Sequence, residues 1–193
     1  MSRSAMCYIA VLDGWCRSKS QGAEIRAQEI LIRMSSAVSS TNSTRGNIGV
    51  DVRHYNNVIN RIASSSKPTA GKEAERLLMS MIDKYNSGEA SLLPNRNSFN
   101  TVIKAYSNAG GNNAAANAKR ILELMKNPEA IGLKKFKLQL SPDVISFSSV
   151  MATLTSGHEA EELMAEMVEL CNKNKNSDMR PDTVAYNTLI KVW

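Results

Sequence analysis

Asn56, Asn100 and Asn187 stand at the same place in three separate stretches of the chain, each directly after an aromatic residue: Tyr55, Phe99 and Tyr186. Two further stretches carry Ser148 after Phe147 and Ile9 after Tyr8. An amide side chain offers donors and an acceptor together, so a row of asparagines can hydrogen-bond to the edges of successive unstacked bases. The same side chains can equally cap or bridge neighbouring helices, and the row alone leaves both roles open. Other candidate chemistry is weaker. The run from Glu159 to Glu169 holds enough carboxylates for acid–base work but has the composition of a solvated helix face. His54 and His158 are isolated and read as helix-surface or interface residues. No Cys/His ligand spacing, phosphate loop or carboxylate cluster marks an enzyme, so no catalysis, metal or cofactor is expected. Cys7, Cys16 and Cys171 are odd in number and lack a C-x-x-C spacing, which speaks against a disulfide framework and for a reducing compartment.

The aromatics that precede these polar residues each begin a stripe at i, i+3, i+4 and i+7, the signature of an amphipathic helix. The five stripes are Tyr8-Val11-Leu12-Trp15, Tyr55-Val58-Ile59-Ile62, Phe99-Val102-Ile103-Tyr106, Phe147-Val150-Met151-Leu154 and Tyr186-Leu189-Ile190-Trp193. One step along a helix is about 100° of rotation, so the residue after the aromatic falls at the edge of the buried stripe. Asp51, Asn95, Asp143 and Asp182 precede four of these helices as candidate N-caps, with Pro181 blocking backward extension of the last. After each of the first four stripes comes a second helix in which Ala is followed seven residues later by Met: Ala27 and Met34, Ala74 and Met81, Ala118 and Met125, Ala160 and Met167. A small residue and a long flexible one on one face suit close helix packing, while the Glu and Lys around them read as solvated.

The unit is therefore an αα-hairpin that buries its stripes only by stacking on its neighbours, which predicts an all-α solenoid. Its boundaries fall at 5–51, 52–95, 96–143 and 144–182, with 183–193 as the first helix of a fifth unit. The aromatic anchors at 8, 55, 99, 147 and 186 are spaced by 47, 44, 48 and 39 residues, so the connections vary in length. Ser35–Gly49 and Asn172–Asp178 read as flexible connections, and Lys134, Lys135 and Lys137 make the third one basic. With 24 Lys and Arg against 18 Asp and Glu in 193 residues, the chain carries a net charge of +6, which mildly favours a polyanionic partner. No apolar run reaches bilayer-spanning length, so no membrane role is expected. Neither a signal peptide nor an Arg-rich presequence precedes the first stripe, and both ends read as cut from a longer array.

The order Pro181-Asp182-Thr183-Val184-Ala185-Tyr186-Asn187-Thr188-Leu189-Ile190, joined to second helices such as Glu73-Ala74-Glu75-Arg76-Leu77 closing at Met81, resembles the pentatricopeptide repeat family. Pro94-Asn95 leading to Phe99-Asn100-Thr101-Val102-Ile103, and Pro142-Asp143-Val144-Ile145-Ser146-Phe147-Ser148, look like close variants. The resemblance covers essentially the whole chain, although each unit is longer than the family standard and the first carries Ile9 where a polar residue is usual. It implies a right-handed superhelix that binds single-stranded RNA. In that family the polar residue after the aromatic, with the last residue of the same unit, reads one base. Carried over, the reading pairs are Asn56 with Asn95, Asn100 with Asp143, and Ser148 with Asp182, and Asn187 begins a fourth. The base-packing positions are Arg53, Asn97, Ile145 and Val184, and Lys104 and Lys191 are expected to contact phosphates. The family preferences imply the order C-U-G, with no assignment for Ile9 and Asp51. They also imply a mitochondrion or plastid, a part in RNA processing, stability, editing or translation, and protein partners in an organellar RNA complex. Two other readings remain open: a helical-repeat scaffold for a protein partner, and the RNA-binding part of a larger nuclease.

Overall fold

A computed structural model describes residues 3–39, 49–174 and 177–193. Its first helices are α1 (Arg3–Arg17), α3 (Val52–Ala63), α5 (Arg96–Ala109), α8 (Val144–Met151) and α10 (Thr183–Val192). The second helices are α2 (Ala23–Ser39), α4 (Ala70–Asn86), α6 (Ala114–Lys126) and α9 (Gly157–Asn174), and α7 (Lys137–Leu140) is a single turn between α6 and α8. No strand occurs among the described residues, so the protein is all-α, as the stripes predict. Each first helix packs on the next first helix, and each second helix packs on its own first helix and on the following one. Contacts thus run mostly between neighbours in the chain. We call the junction between one helix pair and the next first helix a seam.

Four seams begin with a capped helix start. The side chain of Asp51 accepts from the Arg53 and His54 amides, Asn95 from that of Ser98, Asp143 from that of Ser146, and Asp182 from that of Ala185. At the first three the exchange is reciprocal, since His54 Nδ1, Ser98 Oγ and Ser146 Oγ accept from the cap N–H. Each such cap contributes about 1 kcal/mol and fixes where the helix, and hence the residue after the aromatic, begins its rotation.

Behind the caps, the stripes of α3, α5 and α8 are fully buried, and so are all four Ala–Met pairs of the second helices. Two contacts between helix pairs are closer still. A Cβ on Gly71 would overlap the Tyr106 ring, and one on Gly157 would overlap the ring of Trp193. The last residue of a stripe thus seats on a glycine at the start of the preceding second helix. The outer stripes are open to solvent: Tyr186 and Trp193 are exposed, as expected of a last helix without its partner, Trp193 at 72%, and Tyr8, Val11 and Ile190 are exposed as well. Helices α1 and α10 have a first-helix neighbour on one side only among the described residues, so half of each stripe faces solvent.

Three connections depart from the sequence expectation. Helix α2 continues to Ser39, with the Ser35 and Ser36 hydroxyls donating to the Ile32 and Arg33 carbonyls, and residues 40–48 of that connection lie outside the described residues. Helix α9 continues to Asn174; residues 175–176 lie outside the described residues, and a 3-10 turn follows at Ser177–Met179. The lysine-rich connection is not a loop throughout. Pro128–Ile131 and Lys134–Phe136 form 3-10 turns ahead of α7. Leu133 and Leu140 are buried there, and Phe136 meets Tyr85 edge-on with centroids 5.8 Å apart.

Candidate nucleic-acid interface

Because each N-cap sits beside the preceding first helix, side chains some forty residues apart in sequence meet at the seams. Asn56 Nδ2 donates to Asn95 Oδ1 at 3.4 Å, and Asn100 Nδ2 donates to Asp143 Oδ1 at 3.1 Å. Ser148 and Asp182 are not hydrogen-bonded to each other but line one open cleft of about 250 Å³, together with Lys104, Ile145, Val184 and Thr188. All three pairs expected to act together are therefore neighbours. Asn187 is exposed on α10, where no further first helix is described to pair with it.

The three pairs differ in how far they satisfy themselves. Asn100 is engaged at both ends, since its Oδ1 accepts from Ser146 Oγ at 2.6 Å while its Nδ2 holds Asp143. Asn56 is only 8% exposed, yet its Oδ1 has no partner, and Ser148 is 7% exposed with an unpartnered Oγ. A buried polar atom without a hydrogen bond costs about 1–3 kcal/mol, so these two oxygens are poised to gain a partner from a bound molecule or from water.

The four packing positions divide by chemistry. Ile145 and Val184 are 59% and 61% exposed and line the polar cleft. Asn97 is exposed and engages the chain through its backbone carbonyl, which accepts from Thr101 Oγ1. Arg53 is tied down instead, its Nε and Nη2 both donating to Asp51 Oδ2 at 2.9 and 2.7 Å. Burial works to raise the Asp51 carboxyl, but the hydrogen bonds from the Arg53 side chain and from the His54 and Arg53 amides outweigh it and hold the group below its ordinary range. Lys104 and Lys191 are both exposed, and Lys104 borders the Ser148 cleft.

Sequence reasoning missed four residues beside these positions. Met6, two residues before Tyr8, occupies in α1 the register of Ile145 and Val184 and is equally exposed; counting back from the aromatic would have found it. Ser98 and Ser146 touch the reading pairs directly, and the Asn/Asp-x-x-Ser spacing at 95–98 and 143–146 was the available signal. Arg96 Nη1 lies 3.7 Å from Asp143 Oδ2 and 3.1 Å from Asp178 Oδ2, so it draws the outer oxygen of the Asp143 carboxylate aside.

The opposite edge of each seam is built differently. The Glu and Lys of the second helices, read as solvated, in large part bridge neighbouring helix pairs. Gln28 donates to Glu73 at 3.1 Å, Arg120 reaches Glu75 at 2.6 Å, Lys119 reaches Glu159 at 2.6 Å, and Lys126 pairs with Glu166. Tyr106 also donates its hydroxyl to Glu75, and burial together with that carboxylate pushes the phenol well above its usual titration range. The lengths of these side chains, not their periodicity, decide that they reach across.

Among the described residues no group of three His, Cys, Asp or Glu is placed to hold a metal, and no helix is long and apolar enough to cross a membrane. A larger cavity of about 850 Å³ lies where the C-terminal ends of α6 and α9 meet α7. Of its cations, Arg96 and Lys126 already face carboxylates. Comparison of the chain with protein-family models, with curated proteins and with solved structures found no match.

Proposed function

We propose that this chain is a pentatricopeptide-repeat-type module that binds single-stranded RNA along the first-helix edge of a stacked αα solenoid. One observation carries the reading: at successive seams the residue after the buried aromatic meets the N-cap of the next first helix, and two of the three pairs keep a buried oxygen with no partner. Bases splayed from a single strand supply edge donors and acceptors at such intervals, and exposed Ile145 and Val184 offer apolar faces to pack beside them. Lys104 and Lys191 add sequence-independent attraction to phosphates. On this reading the module works in an organelle, mitochondrion or plastid, with protein partners in an RNA complex, and the bound order is C-U-G.

The test is binding of a short single strand containing C-U-G against the same sequence in a duplex, over a range of salt. The single strand should bind more tightly, with affinity falling as salt rises. Equal affinity for the duplex, or no binding at low salt, would contradict the reading and favour a protein-binding scaffold.

A further inference from the structure

At the third seam one hydroxyl controls which way an amide points. Ser146 is fully buried, and its Oγ lies 2.6 Å from Asn100 Oδ1, 2.9 Å from Asp143 Oδ1 and 3.1 Å from the Asp143 amide nitrogen. The Asp143 N–H fills one acceptor position of the hydroxyl. The hydroxyl has a single proton, and its shortest contact requires that proton between the two oxygens, since bare lone pairs at 2.6 Å would repel. Asp143 Oδ1 loses little by this, because it already accepts from the Ser146 amide at 2.9 Å and from Asn100 Nδ2 at 3.1 Å.

The result is a closed ring of donors and acceptors in which the Asn100 oxygen faces a donor and its nitrogen faces a carboxylate. Turned over, the amide would set its oxygen against the Asp143 carboxylate and lose the Ser146 proton. Which end of an amide is oxygen is fixed only by such a network. One N–H and one lone pair of Asn100 then remain, in a set order.

We propose that Ser146 is a specificity-determining positioning residue: by completing, with the Asp143 carboxylate, the lock on the polarity of the Asn100 amide it sharpens how this seam tells uracil from cytosine. The proposal rests on the base-reading role argued above. Uracil presents an N3–H donor beside carbonyl acceptors, and cytosine presents an N3 acceptor beside an amino donor, so the two are reversed on the same edge. An amide of fixed polarity matches one of them; an amide free to turn accepts both.

The other seams show what the lock requires. Asn56 has no hydroxyl on its Oδ1, and its single bond to Asn95 is long at 3.4 Å; Ser98 Oγ spends its contact on Asn95 instead, at 3.1 Å. That seam should take either pyrimidine. At the last seam the equivalent residue is Ala185, no hydroxyl is available, and Ser148 Oγ is left unpartnered.

The experiment measures binding to RNAs varied at the one position that Asn100 and Asp143 face, for the natural protein, Ser146→Ala and Ser98→Ala. Alongside it, NMR follows the Asn100 side-chain NH2 signals without RNA. Ser146→Ala should reduce the uracil-to-cytosine ratio at that position by about fivefold or more, the worth of one hydrogen bond, and leave other positions alone. Ser98→Ala should leave that ratio unchanged. In RNA-free protein the Asn100 side-chain NH2 should have a high order parameter, reporting restricted rotation about Cβ–Cγ, and Ser146→Ala should lower it.

If Ser146→Ala compromises folding, the lock can be transplanted. Ser148→Asn alone should discriminate weakly between the pyrimidines at the last seam, and Ser148→Asn with Ala185→Ser should show a stronger preference for uracil. An unchanged ratio in Ser146→Ala, or no gain in the double variant, overturns the proposal. A rigid Asn100 amide in a natural protein that shows no base preference there overturns the base-reading role itself, and this proposal with it.

Discussion

Along the second helices the seams are closed by charge: Glu73, Glu75, Glu159 and Glu166 each meet a cation or amide from the neighbouring helix pair. Along the first helices the same seams are closed by Asn, Ser and Asp, with Asn56 Oδ1 and Ser148 Oγ buried and unpartnered. Both edges join residues about forty positions apart, so connectivity does not distinguish them. Chemistry does. Long charged side chains satisfy one another across the second-helix edge, and that edge has little left to offer a ligand. Short polar groups on the first-helix edge stand beside the caps, and two of their buried oxygens have no protein partner and are open to water or a ligand. On the proposed reading, one edge holds the array together and the other is the one that recognises RNA.

Removing a link from the structural edge should have the largest effect. Glu75→Ala would strip a partner from both Arg120 and the buried Tyr106 hydroxyl, and should destabilise the fold by about 1–3 kcal/mol in a denaturant titration. The Tyr106 phenol should then titrate lower, though still above its ordinary value because burial persists. Base preference in the RNA-binding assay should not change. If Glu75→Ala altered preference at one position without loss of stability, the division between the edges would be wrong.

The smaller effect belongs to the recognition edge. Lys104 borders the Ser148 cleft and makes no ion pair among the described residues, so Lys104→Ala should leave the melting temperature within error. It should weaken binding to all sequences alike and reduce the salt slope by about one phosphate contact. A loss confined to one base would move Lys104 from phosphate contact to base reading.

Much of this arrangement is legible in the sequence. Helix starts at Val52, Arg96, Val144 and Thr183 follow from Asp or Asn placed just ahead of an apolar stripe, because the cap and the stripe are both local in the chain. The buried Ala–Met pairs follow from spacing alone. What escapes is set by tertiary reach. Whether Lys119 or Arg120 finds a carboxylate depends on how closely two helices approach, which periodicity does not encode. The turns at 128–140 escape because Leu133, Phe136 and Leu140 are diluted by lysines that face solvent. Tyr8 shares a pattern with Tyr55 but not its burial, since burial needs a helix on each side; the exposure of Tyr186 on the last helix was legible for that same reason.

Asn100 with Asp143 tests the central claim most directly, because both ends of that amide are engaged and its neighbours are fixed. The measurement is competition binding of the natural protein and Asn100→Ser to RNAs carrying each of the four bases at one position. The account predicts that Asn100→Ser loses about 1–3 kcal/mol for uracil and shifts preference towards guanine at that position alone. Weakening of all four bases by the same factor would show that Asn100 is a packing residue, and would contradict base reading on the first-helix edge.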